Sequence, residues 1–204
     1  QSSIDVPIIN LLDEACQDAI STSLNQRICV MATKGTISTH SHSDTIKSYH
    51  PSSSVHELSC PDLVQYIEDN SIDIPECQDK LRHYILELTK FKADTLIYAC
   101  SHFPFLESSI RRYCSPELKT VNPAISVRHS LKNCLDAIGY GNHDLSKVTC
   151  YITGSKDKFL TFFTNYCSLH NYTIIEEKIT PLVSNMIHSE HNLKVRDSIK
   201  LNTN

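Results

Sequence analysis

Short apolar runs recur along this chain, separated by stretches that carry helical signals. Residues 6–12, 28–32, 55–59, 95–99, 118–121 and 148–153 read as strands. Residues 13–23 read as a helix with acidic residues in its first turn, and residues 62–69 as a second helix. Residues 77–91 form a long amphipathic pattern, and residues 126–138 a further helix. Residues 155–167 place Phe159, Leu160, Phe163 and Tyr166 on or near one helical face. Residues 49–54 read as a Ser-rich loop around Pro51, residues 71–76 as a turn, and residues 139–146 as a polar turn. Residues 172–179 alternate weakly, as an edge strand does. From Thr180 onward the pattern fades, and the polar last residues read as a disordered tail. Strands alternating with helices predict an α/β fold on a parallel sheet.

One stretch organises the rest, KADTLIYACSHFPFLESSIRRYC over residues 92–114. The run at 95–99 has the look of a strand buried on both faces. It stops at Cys100-Ser101-His102. Pro104 then stands where a first helical residue belongs, with Ser101 or His102 placed to cap. Leu106, Ile110 and Tyr113 give that helix an apolar stripe. The corner lies at the carboxyl end of a strand, the edge where open α/β sheets bind ligands. A helix amino terminus there lowers a cysteine pKa and favours a carboxylate. His102 could poise the thiol of Cys100, although the spacing fits equally a core cysteine beside a capping histidine.

A second corner, Thr33-Lys34-Gly35-Thr36, follows the strand at 28–32. Gly35 allows a left-handed turn there. Thr36 by itself reads as a helix cap, and Glu68 as a solvated helix glutamate.

With 204 residues, one or two domains and a proper core are allowed. The net charge of −4 gives no sign of nucleic acid or an anionic membrane surface as a partner. No apolar run is long enough to span a bilayer, and no signal-peptide pattern is present. Nine cysteines, without a Cys-x-x-Cys pair, argue against a disulfide framework or a zinc knuckle and fit a reducing cytoplasm. Of eleven histidines, His40 and His42 are the closest pair. They lack a third ligand at a recognised spacing and read as surface histidines, so no metal is expected. The chain opens at Gln1 rather than Met, which reads as a processed or truncated amino terminus.

Five segments change what these corners mean. ACSHFP around Cys100 resembles the second cysteine motif of the glutamate racemases, GCTHYP. In the same order, residues 4–19 resemble the family's IPVIGVIEPGARAA segment, and residues 30–37 its VIAT-x-GT segment. Residues 58–68 resemble its ACP-x-x-VP-x-VE segment, and residues 148–159 its F-x-VTG-x-x-x-x-F segment. The resemblance covers roughly residues 4–167. It implies a flavodoxin-like, parallel-sheet α/β domain of the two-domain aspartate/glutamate racemase fold, with the first domain incomplete. Residues 1–12 would end the first domain, 13–125 form the second, and 126–179 return to the first, before the tail at 180–204.

The resemblance further implies a cofactor-independent isomerase that interconverts L- and D-glutamate for peptidoglycan. One thiolate removes the α-proton and a thiol on the opposite face returns another. Cys100 would be one acid/base, acting on L-glutamate, with His102 as its partner and Glu68 in support. Thr36 and Ser101 would lie beside the substrate. No cofactor or metal is implied. Glutamate is the expected ligand, and a homodimer is the one protein assembly kept open.

The family's first cysteine, in a Cys-Asn-Thr-Ala segment, has no counterpart here, which reads as a fragment that would not racemise alone. Two departures touch the corners. Thr39-His40-Ser41-His42 replaces a Ser-Gly-Ala-Tyr-like stretch, and Asn122-Pro123 replaces Asp-Ser. Two other readings remain, a single-cysteine decarboxylase or isomerase relative and an inactive domain that binds a carboxylate or a protein.

Overall fold

The computed structural model describes residues 8–137, 139, 148–167 and 171–178. Four parallel strands form the main sheet: β1 (Arg27–Ala32), β2 (Ser54–Ser59), β3 (Thr95–Tyr98) and β4 (Lys119–Val121), in the order β2-β1-β3-β4. In β1, Val30 pairs with Glu57 on one side and Ile97 on the other.

Alternation along the central strands builds two cores. Ile28, Val30 and Ile97 face α1 (Leu11–Thr22), where Ala15, Cys16 and Ala19 are buried, and Ile46 of α3 (Ser41–Tyr49). Cys29, Met31, Leu96 and Tyr98 face the opposite way, onto α4 (Leu63–Glu68) and α5 (Pro75–Phe91). That core also takes the 3-10 turn Phe103–Leu106 and α6 (Glu107–Arg111). The remaining elements of this part are the single-turn helix α2 (Lys34–Ile37) and α7 (Pro123–Ala137). Ser126 and Ser130 of α7 donate to Asp18 and Glu14 of α1, at 2.6 and 2.5 Å. A separate two-stranded parallel sheet pairs β5 (Val148–Ile152) with β6 (Tyr172–Glu176), joined through α8 (Lys156–Tyr166).

The mixed α/β, parallel character matches the sequence expectation, with several corrections. The expected strand at 6–12 is not formed over its described part. Leu11 and Leu12 open α1, because Asn10 caps it, its Oδ1 accepting the Leu12 N–H at 3.0 Å. Residues 1–7 lie outside the described residues. α3 had no counterpart in the sequence reading, since SHSDTIKSY buries only Ser43 and Ile46.

Gly35 does not make a left-handed turn. It sits inside α2, and the left-handed residue nearby is His40, with φ of 53°. The expected helix at Pro104 is instead a 3-10 turn leading into a five-residue helix, and neither Ser101 nor His102 caps it. The last strand ends at Glu176, and it pairs with β5 rather than extending the main sheet. The expected tail at 180–204 lies outside the described residues, as does most of the turn at 139–146.

The amino edge of the main sheet is fastened by one carboxylate. Asp94 accepts from Ser23 Oγ at 2.6 Å, from the N–H groups of Leu24 and Asn25 at 2.8 and 2.7 Å, and from Thr95 Oγ1 at 3.0 Å. Burial alone would raise its pKa, but these donors outweigh it and hold the carboxyl below its ordinary value. Its stabilisation is therefore present above the unfolded pKa and is lost as pH falls through the folded one. Asp94→Ala should destabilise the chain by about 2 kcal/mol near neutral pH, from stranded donors. The gap to the wild type in urea melts should close as pH drops below the normal aspartate range. A constant gap across that range would rule out the charged staple.

Candidate active site

β3 delivers Cys100 to the carboxyl edge of the sheet. The ladder ends with the Ala99 N–H on Met31 O at 2.9 Å, and the next residue is free to face the edge. The chain then turns tightly, with the Phe103 N–H on Cys100 O at 3.1 Å. That turn brings the His102 ring back toward the thiol, with Sγ and Nδ1 4.0 Å apart. The far nitrogen, Nε2, lies 3.1 Å from Glu68 Oε1 at the end of α4. Three residues singled out in the sequence thus form one line: Cys100, His102, Glu68. Glu68 is held there because Leu63 and Ile67 of the same helix are fully buried. Phe162 of α8 covers the His102 ring, their centroids 5.9 Å apart.

The line separates two cavities. One, of about 530 Å³, is lined by Cys100, Ser101, Tyr98, Asn10, His42 and Asn122, among others. The amino-terminal ends of α1 and α7 reach it through Leu11, Leu12, Pro123 and Ala124. The other, of about 630 Å³, is lined by His102 and Glu68 with Gln65, Lys158 and Phe162. Cys100 and Ser101 thus face one space, while His102 and Glu68 border the next. Thr36 stands apart from both linings. It lies in α2 with its hydroxyl 3.3 Å from that of Thr33. Sequence reasoning missed the contribution of Asn10, treated Asn122 only as a departure, and read His42 as a surface histidine, whereas it is half-buried and lines the cavity. An Asn ahead of an acidic first turn was the available signal for Asn10.

Behind the corner, a partly buried network fixes β3 to α6 and β4. The Tyr98 hydroxyl donates to Glu107 Oε2. Arg111 Nε and Thr120 Oγ1 donate to Glu107 Oε1 at 2.7 and 3.2 Å. Burial, then the Glu107 carboxylate, pushes the Tyr98 phenol well above its ordinary pKa, so it remains a donor.

The chemistry this geometry allows is proton transfer through a thiol. An imidazole beside Cys100 can accept its proton, and Glu68 favours the resulting imidazolium. Five other thiols are suppressed by burial. Burial pushes Cys16 and Cys29 up to about 12 and Cys77 up to about 11, and it raises Cys60 and Cys114 as well. Among the described residues no group of three or more His, Cys, Asp or Glu side chains could hold a metal ion. No helix of the described residues is long and apolar enough to cross a membrane.

A profile of the Asp/Glu/hydantoin racemases matches residues 1–126. The chain belongs to that family. Similar family members include the glutamate racemase of Levilactobacillus brevis, 27% identical over 168 residues, covering 81% of this chain and 61% of the relative. Another is the glutamate racemase of Trichormus variabilis, 30% identical over 176 residues, covering 86% of this chain and 59% of the relative. The racemase fold is shared with a glutamate racemase isoform from Bacillus anthracis, at a TM-score of 0.78 and 24% identity, covering 87% of this chain and 66% of that one. The Francisella tularensis glutamate racemase, solved with D-glutamate, gives 0.74 at 18% identity, covering 85% of this chain and 65% of that one. The chain spans about three-fifths of the length of the curated glutamate racemases it matches.

For this racemase-family chain, Cys100 should be alkylated by iodoacetamide faster near neutral pH than any other cysteine, read peptide by peptide. His102→Ala should slow it, because the base beside the thiol is removed. Glu68→Gln should cost only about two- to threefold, because the pair is partly open to solvent. Uniform labelling of all the accessible cysteines would rule out a poised thiol.

Proposed function

We propose that this chain carries one acid/base half of a glutamate racemase, with Cys100 as the group that exchanges the α-proton of L-glutamate. The observation that carries the reading is the Cys100–His102–Glu68 line at the carboxyl edge of a parallel sheet, opening on a cavity of about 530 Å³. Abstraction of an α-proton leaves a carbanion and needs a base within reach of the α-carbon. The thiolate form of Cys100 supplies it, His102 holds the proton taken from the thiol, and Glu68 steadies the imidazolium. Ser101, next in the chain, is a donor for the carboxylate bonded to the reacting carbon. Thr36 belongs to the reading as a second substrate contact, one that its present place on α2 does not support.

The match to glutamate racemases, one of them solved with D-glutamate, supports glutamate as substrate and supply of D-glutamate to the cell wall as the role. The free thiols of the described cysteines support a cytoplasmic setting. The separate β5–β6 sheet supports a division in which residues 13–125 form one racemase domain and residues 126–179 return to the other. Racemisation needs a second acid/base on the opposite face of the α-carbon, so one poised thiol accounts for exchange on one enantiomer.

Incubation in deuterated water, followed by proton NMR, tests this. The chain should wash deuterium into the α-position of L-glutamate with no build-up of D-glutamate, and Cys100→Ser should abolish the exchange. Exchange that survives Cys100→Ser would remove Cys100 as the base. Failure of the wild-type chain to exchange either isomer would shift the reading to a domain that binds without turnover.

A further inference from the structure

The cavity beside Cys100 has a wall that the Cys100–His102–Glu68 line does not use. His42, in the first turn of α3, lines this cavity together with Cys100, Ser101 and Asn122. Its position is fixed from behind, where the Cys16 thiol of α1 donates to His42 O at 3.8 Å. Ile46, one turn further along α3, is fully buried against the same core.

Among the described residues the His42 ring has no hydrogen-bond partner. Burial holds its pKa below the ordinary value, against the opposing pull of Glu57. The free ring is therefore neutral near pH 7 and keeps one N–H donor. Its neighbour His40 is engaged elsewhere, with Nδ1 2.5 Å from Glu57 Oε2.

The rest of the lining is largely apolar, with Leu11, Leu12, Tyr98, Pro104, Phe105 and Pro123. No Lys or Arg is part of it. In a pocket of this kind a few polar groups set orientation and selectivity. Cys100 must meet the α-carbon of the substrate. Ser101 is adjacent in sequence and lies at hand for the carboxylate on that carbon. The second carboxylate of an acidic amino acid lies several bonds away and needs a donor from another wall. His42 comes from a different helix and has an unengaged donor.

We propose that His42 is the specificity-determining residue of this cavity, its ring N–H donating to the distal carboxylate of a dicarboxylic amino acid. This rests on the Cys100 reading above. A site that hydrogen-bonds a substrate group discriminates strongly against analogues that lack it. Replacing that donor with an apolar ring leaves the carboxylate desolvated and unpaired, so the penalty falls on the acid and much less on its amide.

Protection of Cys100 from iodoacetamide tests the proposal, read by peptide mass spectrometry. Each variant is normalised to its own rate without ligand, and the probes are L-glutamate, D-glutamate and L-glutamine. The wild-type chain should be protected at lower concentrations of glutamate than of glutamine. In His42→Phe the concentration for half protection should rise about tenfold more for glutamate than for glutamine. His42→Asn, which keeps a donor, should recover part of that discrimination.

Equal weakening toward both ligands would mean that His42 only shapes the wall, and it would overturn the proposal. Undiminished glutamate protection in His42→Phe would also overturn it while leaving the Cys100 reading intact. Absence of protection by either glutamate isomer in the wild-type chain would remove the Cys100 reading first, and His42 with it.

Discussion

The central strands β1 and β3 must hide both faces from water, and the rest of the architecture answers to that constraint. Ile28, Cys29, Val30, Met31 and Ala32 are all fully buried, as are Leu96 and Ile97. Strands buried on both faces require helices above and below, and crossovers long enough to hold those helices make neighbouring strands parallel. Parallel strands all end at one edge. The turns after β1, β3 and β4 therefore emerge together, and Cys100, His42 and Asn122 meet around one cavity although they are far apart in sequence. At the amino edge Asp94 draws in the Ser23–Asn25 turn and borders a smaller cavity of about 270 Å³.

The proton chemistry proposed for that edge depends on holding an imidazole between a thiol and a carboxylate. The corner itself does not do this through a long helix, since α6 has only five residues. Neighbouring elements do the positioning instead. α4 is anchored by Leu63 and Ile67 and presents Glu68, while Phe162 closes over the ring of His102. The Tyr98–Glu107–Arg111 network keeps β3 and α6 in register beneath them. The group that faces the thiol is a side chain two residues away and not the end of a long helix, a different arrangement from the one that the strand–Pro104 pattern suggested.

How much of this was legible in the sequence follows from how distinctive each signal is. β1 and β3 were plain, because after Arg27 and Thr95 the runs ICVMA and LIY are continuously apolar and rich in β-prone residues. Residues 6–12 carried a similar apolar run and misled, since short apolar runs do not separate strand from helix. In the structure Leu11 is half exposed at 54%, the mark of a helix face rather than of a central strand. α3 was illegible for the opposite reason. Its sequence is mostly polar, and tertiary contacts of Ile46 and Ser43 decide it. Cys100, His102 and Glu68 gained meaning from the family resemblance, and spacing alone left each with an ordinary alternative. His42 stood out only as half of a close histidine pair, and nothing in that spacing pointed to the Cys100 edge, to which only folding brings α3.

The β5–α8–β6 unit is joined to the main-sheet part beside the candidate site. Phe105 lines the Cys100 cavity and meets Phe162 and Tyr166 of α8, with ring centroids 5.3 and 4.3 Å apart. Phe162 also touches His102 and lies 4.9 Å from Tyr166. Edge-to-face and tilted aromatic pairs of this sort add about 0.5–1.5 kcal/mol each beyond the area they bury. The unit therefore adheres through a cluster whose members border the cavity and the imidazole themselves. A shift of α8 away from the corner would uncover His102 and reshape one wall of the Cys100 cavity in the same movement. Retention of the thiol–imidazole geometry is thus tied to the seating of a segment that contributes none of the Cys100–His102–Glu68 groups. For that reason α8 belongs to the candidate site as much as the strand that bears the cysteine.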